Sequence, residues 1–280
     1  MSAIYALQPM YPVVGFAVGV LVGLTGVGGG SLMTPLLILL FGIYPATAVG
    51  TDLLYAAVTK SAGSLVHGRN RTIDWRVVSL LAAGSVPMTV LSIAMLSALD
   101  VNSAGARWLI NAVLTVALLV TAFTLIFRDS IIARYARRLN ALTTKTIAVW
   151  TVAVGAILGL LVSISSVGAG VIGVTALVLL YPKLPTARIV GSDIAHAVPL
   201  TLLAGIGHWL LGTTDWLIFA SLIIGSVPGV IIGSVVAVRM PERALRLVLA
   251  ATLIAVATKL SFGLIPASGD LVAVKTIVPR

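Results

Sequence analysis

Apolar runs separated by short polar stretches recur along the 280-residue chain from end to end. They fall at roughly 10–27, 31–42, 46–66, 76–98 and 107–127, and again at 146–166, 170–181, 188–211, 217–238 and 247–264, with a polar, basic stretch at 128–145 between the two sets. A helix of about 20 apolar residues crosses a hydrocarbon core, so the runs at 31–42 and 170–181 are too short to span as helices. They are expected as half-helices or as arms of re-entrant hairpins, which a membrane tolerates only where protein or a cavity covers the backbone. The short alternating strands of a membrane barrel are absent. The predicted fold class is an all-α polytopic membrane protein.

The two sets match. Gly50, Asp52, His67, Asp74, Trp75 and the GSVP at 84–87 recur 141 positions later as Gly191, Asp193, His208, Asp215, Trp216 and the GSVP at 225–228. Upstream the spacing is 140, pairing Gly28, Gly30 and Pro45 with Gly168, Gly170 and Pro185, so one residue is inserted between Pro185 and Gly191. We therefore read 1–127 and 146–280 as two transmembrane repeats joined by a basic connector at 128–145. Five segments per repeat is an odd number, which predicts opposite orientations for the two.

Charge tests the orientation. Loops 67–76, 128–145, 181–188 and 239–246 hold 13 Lys and Arg residues, whereas the alternate loops and tails hold 3. Basic loops stay on the cytoplasmic side. That places both termini outside, HGRNRTID inside and its mate HWLLGTTD outside, so the repeats are inverted. The first apolar run has neither a basic n-region nor a small-residue cleavage site and reads as a retained membrane segment, not a signal peptide.

Composition sharpens this picture without changing it. The chain is 59% hydrophobic and 9% charged, against about a quarter charged in soluble domains. The net charge of +10 sits almost entirely in short loops, where orientation in the lipid bilayer explains it better than nucleic acid does. With no Cys there are no disulfides or thiolate ligands, and no cofactor is expected.

The runs of glycine pose the functional question. GLTGVGGGSLMTPLLILLFG at 23–42 and SISSVGAGVIGVTALVLLYP at 163–182 interrupt two of the most apolar stretches at corresponding places. A helix broken in the membrane leaves backbone N–H groups that are costly unless something pairs with them. If those donors face a cavity, the helix N-terminus binds an anion. Inverted repeats with paired broken helices are the pattern of a secondary transporter whose substrate sits near the midplane. Candidate substrate ligands are Thr25, Gly28, Gly29, Gly30 and Ser31 in the first half, and Ser165, Ser166, Gly168, Ala169 and Gly170 in the second. Close helix packing is the alternative use of glycine, and it suits the many scattered ones better.

GLTGVGGGSLMTPLLILLFGIYPATAVGTDLL, followed by HGRNRTIDW and GSVP, resembles the TauE/SafE (TSUP) sulfite exporter family, and the resemblance covers nearly the whole chain. It implies a carrier in the bacterial inner membrane for small sulfur-containing anions: sulfite, sulfonates such as sulfoacetate, or thiosulfate. The second half departs from the pattern, with Ala169 in place of a glycine and Thr175 opposite Pro35.

Ionisable residues inside membrane segments are candidates by default. Asp52 lies about two turns into the segment 46–66, Asp193 is its mate in 188–211, and proton uptake there would couple transport to a proton gradient. Helix capping is the alternative for GTD and GSD. Lys60 either neutralises the anion or snorkels to the interface. His196 follows Asp193 by one turn and joins it as a coupling candidate. His67 and His208 read as interfacial anchors, Trp75 and Trp216 as interface belts, and Asp74 and Asp215 as N-caps.

Other classes fit less well. An intramembrane aspartyl protease of GxGD type would need a glycine that GTD and GSD lack, there is no GxSG for serine proteolysis, and GVGGGS lacks the Lys–Ser/Thr of a phosphate-binding loop. The expectation is therefore not an enzyme. An anion channel is the nearer rival, because inverted repeats around a polar midplane build channels too.

Overall fold

A computed structural model describes residues 10–25, 30–99, 101, 103–139, 143–237 and 242–262. Among them the chain is helical with no strand: α1 (Met10–Thr25), α2 (Gly30–Phe41), α3 (Pro45–Arg69), α4 (Trp75–Ala98), α5 (Ala104–Leu139), α6 (Thr144–Ser165), α7 (Val171–Leu180), α8 (Thr186–Leu210), α9 (Trp216–Ala237) and α10 (Glu242–Phe262). Five stretches are long and apolar enough to cross a membrane: Trp75–Ala98, Ala104–Tyr135, Thr144–Ser165, Thr186–Leu210 and Trp216–Gly233. The fold is all-α and polytopic. At 1.5 Å per residue, α2 reaches about 18 Å and α7 about 15 Å, half the distance across a hydrocarbon core.

The basic stretch after 127 is more regular than its polarity implies. Helix α5 continues without interruption to Leu139, a run of 36 residues, because Ile, Ala, Arg and Leu are adequate helix formers and neither Gly nor Pro intervenes. An ion pair of 3.1 Å between Asp129 and Arg246 ties this extension to the start of α10.

Small residues set the packing. Gly15 and Gly19 press α1 onto the backbone of α9 at Leu222 and Ser226, while Gly155 and Gly159 press α6 onto α4 at Leu81 and Ser85. A Cβ at Gly19 or at Gly159 would stand 2.5 Å from the carbonyl oxygen opposite, so neither position accepts a side chain. These contacts are copies of one another at the 140- and 141-residue spacings seen in the sequence. The first helix of each half thus packs in parallel on the fourth helix of the other, and the halves interlock.

The third helices meet each other. Gly50 lies against His208, Leu54 against Gly205, Gly63 against Ile194 and His67 against Gly191, so α3 and α8 run antiparallel side by side. One end of the molecule consequently gathers the turn after α3 and the starts of α4, α6 and α8. The opposite end gathers the start of α3, the turn after α8 and the start of α9.

Each turn is built alike. Asp74 caps α4 through the N–H groups of Arg76 and Val77, and Asp215 caps α9 through those of Leu217 and Ile218. The Asp74 N–H donates to Ser192 Oγ at 2.8 Å, and the Asp215 N–H to Thr51 Oγ1 at 3.0 Å. Thr51 and Ser192 are mates, so the two turns are latched onto opposite halves by one crossed pair of bonds. Trp75 and Trp216 stand exposed beside them.

Candidate functional site

The α6 helix stops inside the protein. Residues 162–171 are all buried, so its end cannot be rescued by water. Ser166 closes it in the left-handed conformation, φ 58°, its N–H donating to the Val162 carbonyl at 2.7 Å. Gly168 and Gly170 follow with φ of 117° and 110°, values that an L side chain resists, which is why glycine stands at both. Ala169 does not carry a positive φ, so the second half loses nothing in backbone freedom where it departs from glycine. Helix α7 then starts at Val171 with no side chain capping it. Its first N–H groups point out of the helix with the partial positive charge of an N-terminus.

Two carboxylates approach the two half-helices. Asp52, fully buried in α3, accepts from the Thr34 N–H at 3.2 Å and the Thr34 hydroxyl at 2.6 Å, both through Oδ2. The Ser166 hydroxyl lies beside the same carboxyl group, and neither Ser166 Oγ nor Asp52 Oδ1 has a hydrogen-bond partner among the described residues. Asp52 thereby holds the start of α2 and lies beside the break after α6. Leu32 and Met33 of α2 share an apolar cluster with Val167 and Val171, at the break after α6 and the start of α7.

Asp193, equally buried in α8, lies over Gly173 in the first turn of α7, where a Cβ would collide with its Oδ1. That oxygen has no donor among the described residues. Lys60 is 8% exposed and interacts electrostatically with Asp193, Asp52 and His196, so it turns into the protein. The antiparallel pairing of α3 and α8 sets Lys60 between the levels of the two aspartates. His196 is buried, with Nε2 at 2.8 Å from Ser85 Oγ and Nδ1 unpartnered.

The structure therefore brings Asp52, Lys60, Asp193, His196 and Ser166 into one buried region next to the break that holds Gly168, Ala169 and Gly170. Ser165 is buried as well, but its hydroxyl donates to Leu161 O at 2.6 Å within its own helix and accepts from the Val167 N–H, leaving it no proton to offer. Thr25 ends α1, Gly30 opens α2 and Ser31 follows in its first turn; the side chains of Thr25 and Ser31, like Gly28 and Gly29 altogether, lie outside the described residues.

The histidines at the helix ends need a correction. His208 is fully buried and cannot anchor at an interface. Its Nε2 donates to Ser163 O at 2.9 Å, supplying a partner to a carbonyl in the last turn of α6, and its Nδ1 pairs with Thr213 Oγ1 at 2.9 Å. Nε2 carries a proton, since a carbonyl only accepts, and the single hydroxyl proton of Thr213 is shared between Nδ1 and the His208 carbonyl, which lies 2.9 Å from Oγ1. His67 makes the equivalent bond to Thr72 at 2.8 Å from a half-buried position.

Sequence reasoning missed four polar groups here. Thr34 gave no signal because its mate is Val174. Thr51 and Ser192 stand beside the aspartates in GTD and GSD, and Ser85 lies inside GSVP, so the repeat itself marks these three.

Comparison with known proteins agrees with this architecture. A family model described as sulfite exporter TauE/SafE matches residues 11–260. A probable membrane transporter protein of Bacillus subtilis, YjnA, is 38% identical over 249 residues, covering 88% of this chain and 96% of the relative. A second from the same organism, YdhB, is 24% identical over 236 residues, covering 82% and 91% respectively. An archaeal one, MJ0441 of Methanocaldococcus jannaschii, is 24% identical over 220 residues, covering 76% of each chain. No solved structure matches.

Proposed function

Because the chain belongs to the TauE/SafE sulfite exporter family, we propose that this multi-pass membrane transporter carries small sulfur-containing anions: sulfite, sulfonates such as sulfoacetate, or thiosulfate. We place it in the bacterial inner membrane with its movement coupled to the proton gradient.

One observation carries the reading. A helix N-terminus without a side-chain cap opens at a buried break, and its backbone donors suit the several acceptor oxygens of a sulfur oxyanion. The α2 start, near Asp52, is the corresponding element of the first half. Lys60 supplies the positive charge that favours an anion at this depth. A buried carboxylate among Asp52 and Asp193 supplies the proton carrier, since a negative charge left beside an anion is unfavourable and protonation removes it.

The antiparallel course of the mates α3 and α8 supports inverted repeats, and the described parts of the basic loops, which share one end of the molecule, support a cytoplasmic face there. Alternate opening of the two ends would then expose one site to each side in turn.

The test is flux into proteoliposomes of the purified protein, comparing sulfite, thiosulfate, sulfoacetate and chloride with and without a pH gradient. Saturable uptake of a sulfur anion that a pH gradient drives uphill is the expected result. Large ohmic current would make the protein a channel, and preference for chloride would refute the substrate class.

A further inference from the structure

The two halves are mates throughout the buried region and part company at a few positions around the aspartates. Where the first half has Thr34, Tyr55 and Lys60, the second has Val174, His196 and Thr201. Resting on the proton-coupled reading above, we propose that the aspartates have divided the work. Asp52 is a fixed tether for the start of α2, whereas Asp193 is the one group that takes up and releases the transported proton.

Asp52 is committed. Two donors from Thr34 converge on its Oδ2, one of them a backbone N–H of the half-helix itself, so a change at this carboxylate would unseat α2. Asp193 has no such hold from the described residues of α7. Val174 lacks a hydroxyl, and the Val174 N–H is occupied by the Gly170 carbonyl at 3.0 Å inside α7. The carboxyl rests instead over a residue with no side chain, and its Oδ1 has no donor among the described residues.

The charged surroundings also favour Asp193. Lys60 interacts with it from α3, His67 lies further along that helix, Asp52 lies on the far side of Lys60, and His196 stands one turn away on its own helix. Helix α7 has no ionisable residue, while Arg76 of α4 and Lys145 of α6 lie in the first turns of their helices. The counter-charge that interacts with it is Lys60. A proton on Asp193 releases Lys60 to the anion, and its loss on the far side restores the Asp193–Lys60 attraction and expels the anion. The step forms and breaks one O–H bond, and the proton travels with the substrate from one aqueous phase to the other. His196 is a positioning residue whose ring is held by Ser85. The mate pair, Tyr55 beside Ser226, keeps the scaffold and replaces the imidazole.

The experiment uses the full chain in proteoliposomes with radiolabelled sulfite. Two quantities are read for each variant: exchange at equal pH, and accumulation driven by a pH gradient. Asp193→Asn is expected to keep exchange and lose accumulation. Asp52→Asn and Thr34→Val are expected to lower both in the same proportion. Val174→Thr keeps every carboxylate and gives Asp193 the hydroxyl that Asp52 enjoys. It should move the pH dependence of accumulation about one unit to the acid side, the effect of one added hydrogen bond to a carboxylate.

Equal loss of accumulation in Asp52→Asn and Asp193→Asn, or an unmoved pH profile in Val174→Thr, overturns the division while leaving proton coupling standing. Wild-type protein that exchanges sulfite but never accumulates it overturns the coupling itself. Should Asp193→Asn fail to fold, the pH profile of Val174→Thr decides alone.

Discussion

His208 holds the carbonyl of Ser163 at 2.9 Å, so the last turn of α8 supplies a partner that the interrupted end of α6 cannot find within its own helix. Replacing His208 with Ala leaves that buried oxygen unpaired, a loss of about 1–3 kcal/mol. His67→Ala removes a bond to a hydroxyl at a half-buried turn and should cost less. Thermal midpoints of the purified proteins in detergent check the order, and a larger fall for His67→Ala would show that the Ser163 contact contributes little.

The break after α6 depends on backbone conformations that glycine alone adopts freely. Gly170→Ala forces a side chain onto φ 110°, a strain of about 1–3 kcal/mol placed at the start of α7. Transport should fall steeply at matched expression. Ala169→Gly should be tolerated, because Ala169 has an ordinary φ. Gly63→Ala, with only Ile194 at 3.6 Å from the new methyl, should be tolerated too. Equal losses at all three positions in a sulfite uptake assay would assign the glycines to packing alone.

Lys60 is buried between the aspartates, so its ammonium cannot be serving mainly to reach the lipid headgroups. Lys60→Gln is expected to weaken apparent sulfite affinity roughly ten- to a hundredfold, the worth of one charge-assisted contact. The half-saturation concentration for sulfite exchange measures this directly. An unchanged value would leave the anion to the helix N-termini.

Orientation is open to a direct check. Reporters fused or attached at Asn70 and Asn140 should read cytoplasmic, and those at Ser103 and Gly212 periplasmic. Finding 70 and 212 on the same side would dismiss the inverted arrangement.

Much of this architecture was legible because the chain states it twice. Gly50 and Gly191, Asp52 and Asp193, and the two GSVP motifs announce the pairing, and the crossed bonds of Asp74 and Asp215 follow from it. Which faces meet was not legible. In a bilayer both the lipid-facing and the protein-facing sides of a helix are apolar, so no amphipathic stripe tells that α1 lies on α9 and α6 on α4. The small residues at Gly15, Gly19, Gly155 and Gly159 carry that information, diluted among other glycines. At the site, pairing located Asp52 and Asp193 but hid Thr34, whose mate is an apolar residue. His208 misled for a related reason: its position near a helix end fits an interface, and the carbonyl it serves comes from a break 45 residues upstream.

The exchange of first helices between the halves has a consequence for how the protein is made. Helix α1 leaves the ribosome early, yet the glycine-lined surface it must cover belongs to α9, roughly 200 residues later. At about 5–20 residues per second, α1 waits on the order of 10–40 s in the membrane before its partner exists. During that interval the nascent chain exposes a narrow, small-residue face that any passing helix with a similar face can occupy. Assembly therefore completes only after the second half is synthesised, and a chain arrested at the connector would persist in the bilayer as an unfinished protein, a natural substrate for membrane quality control.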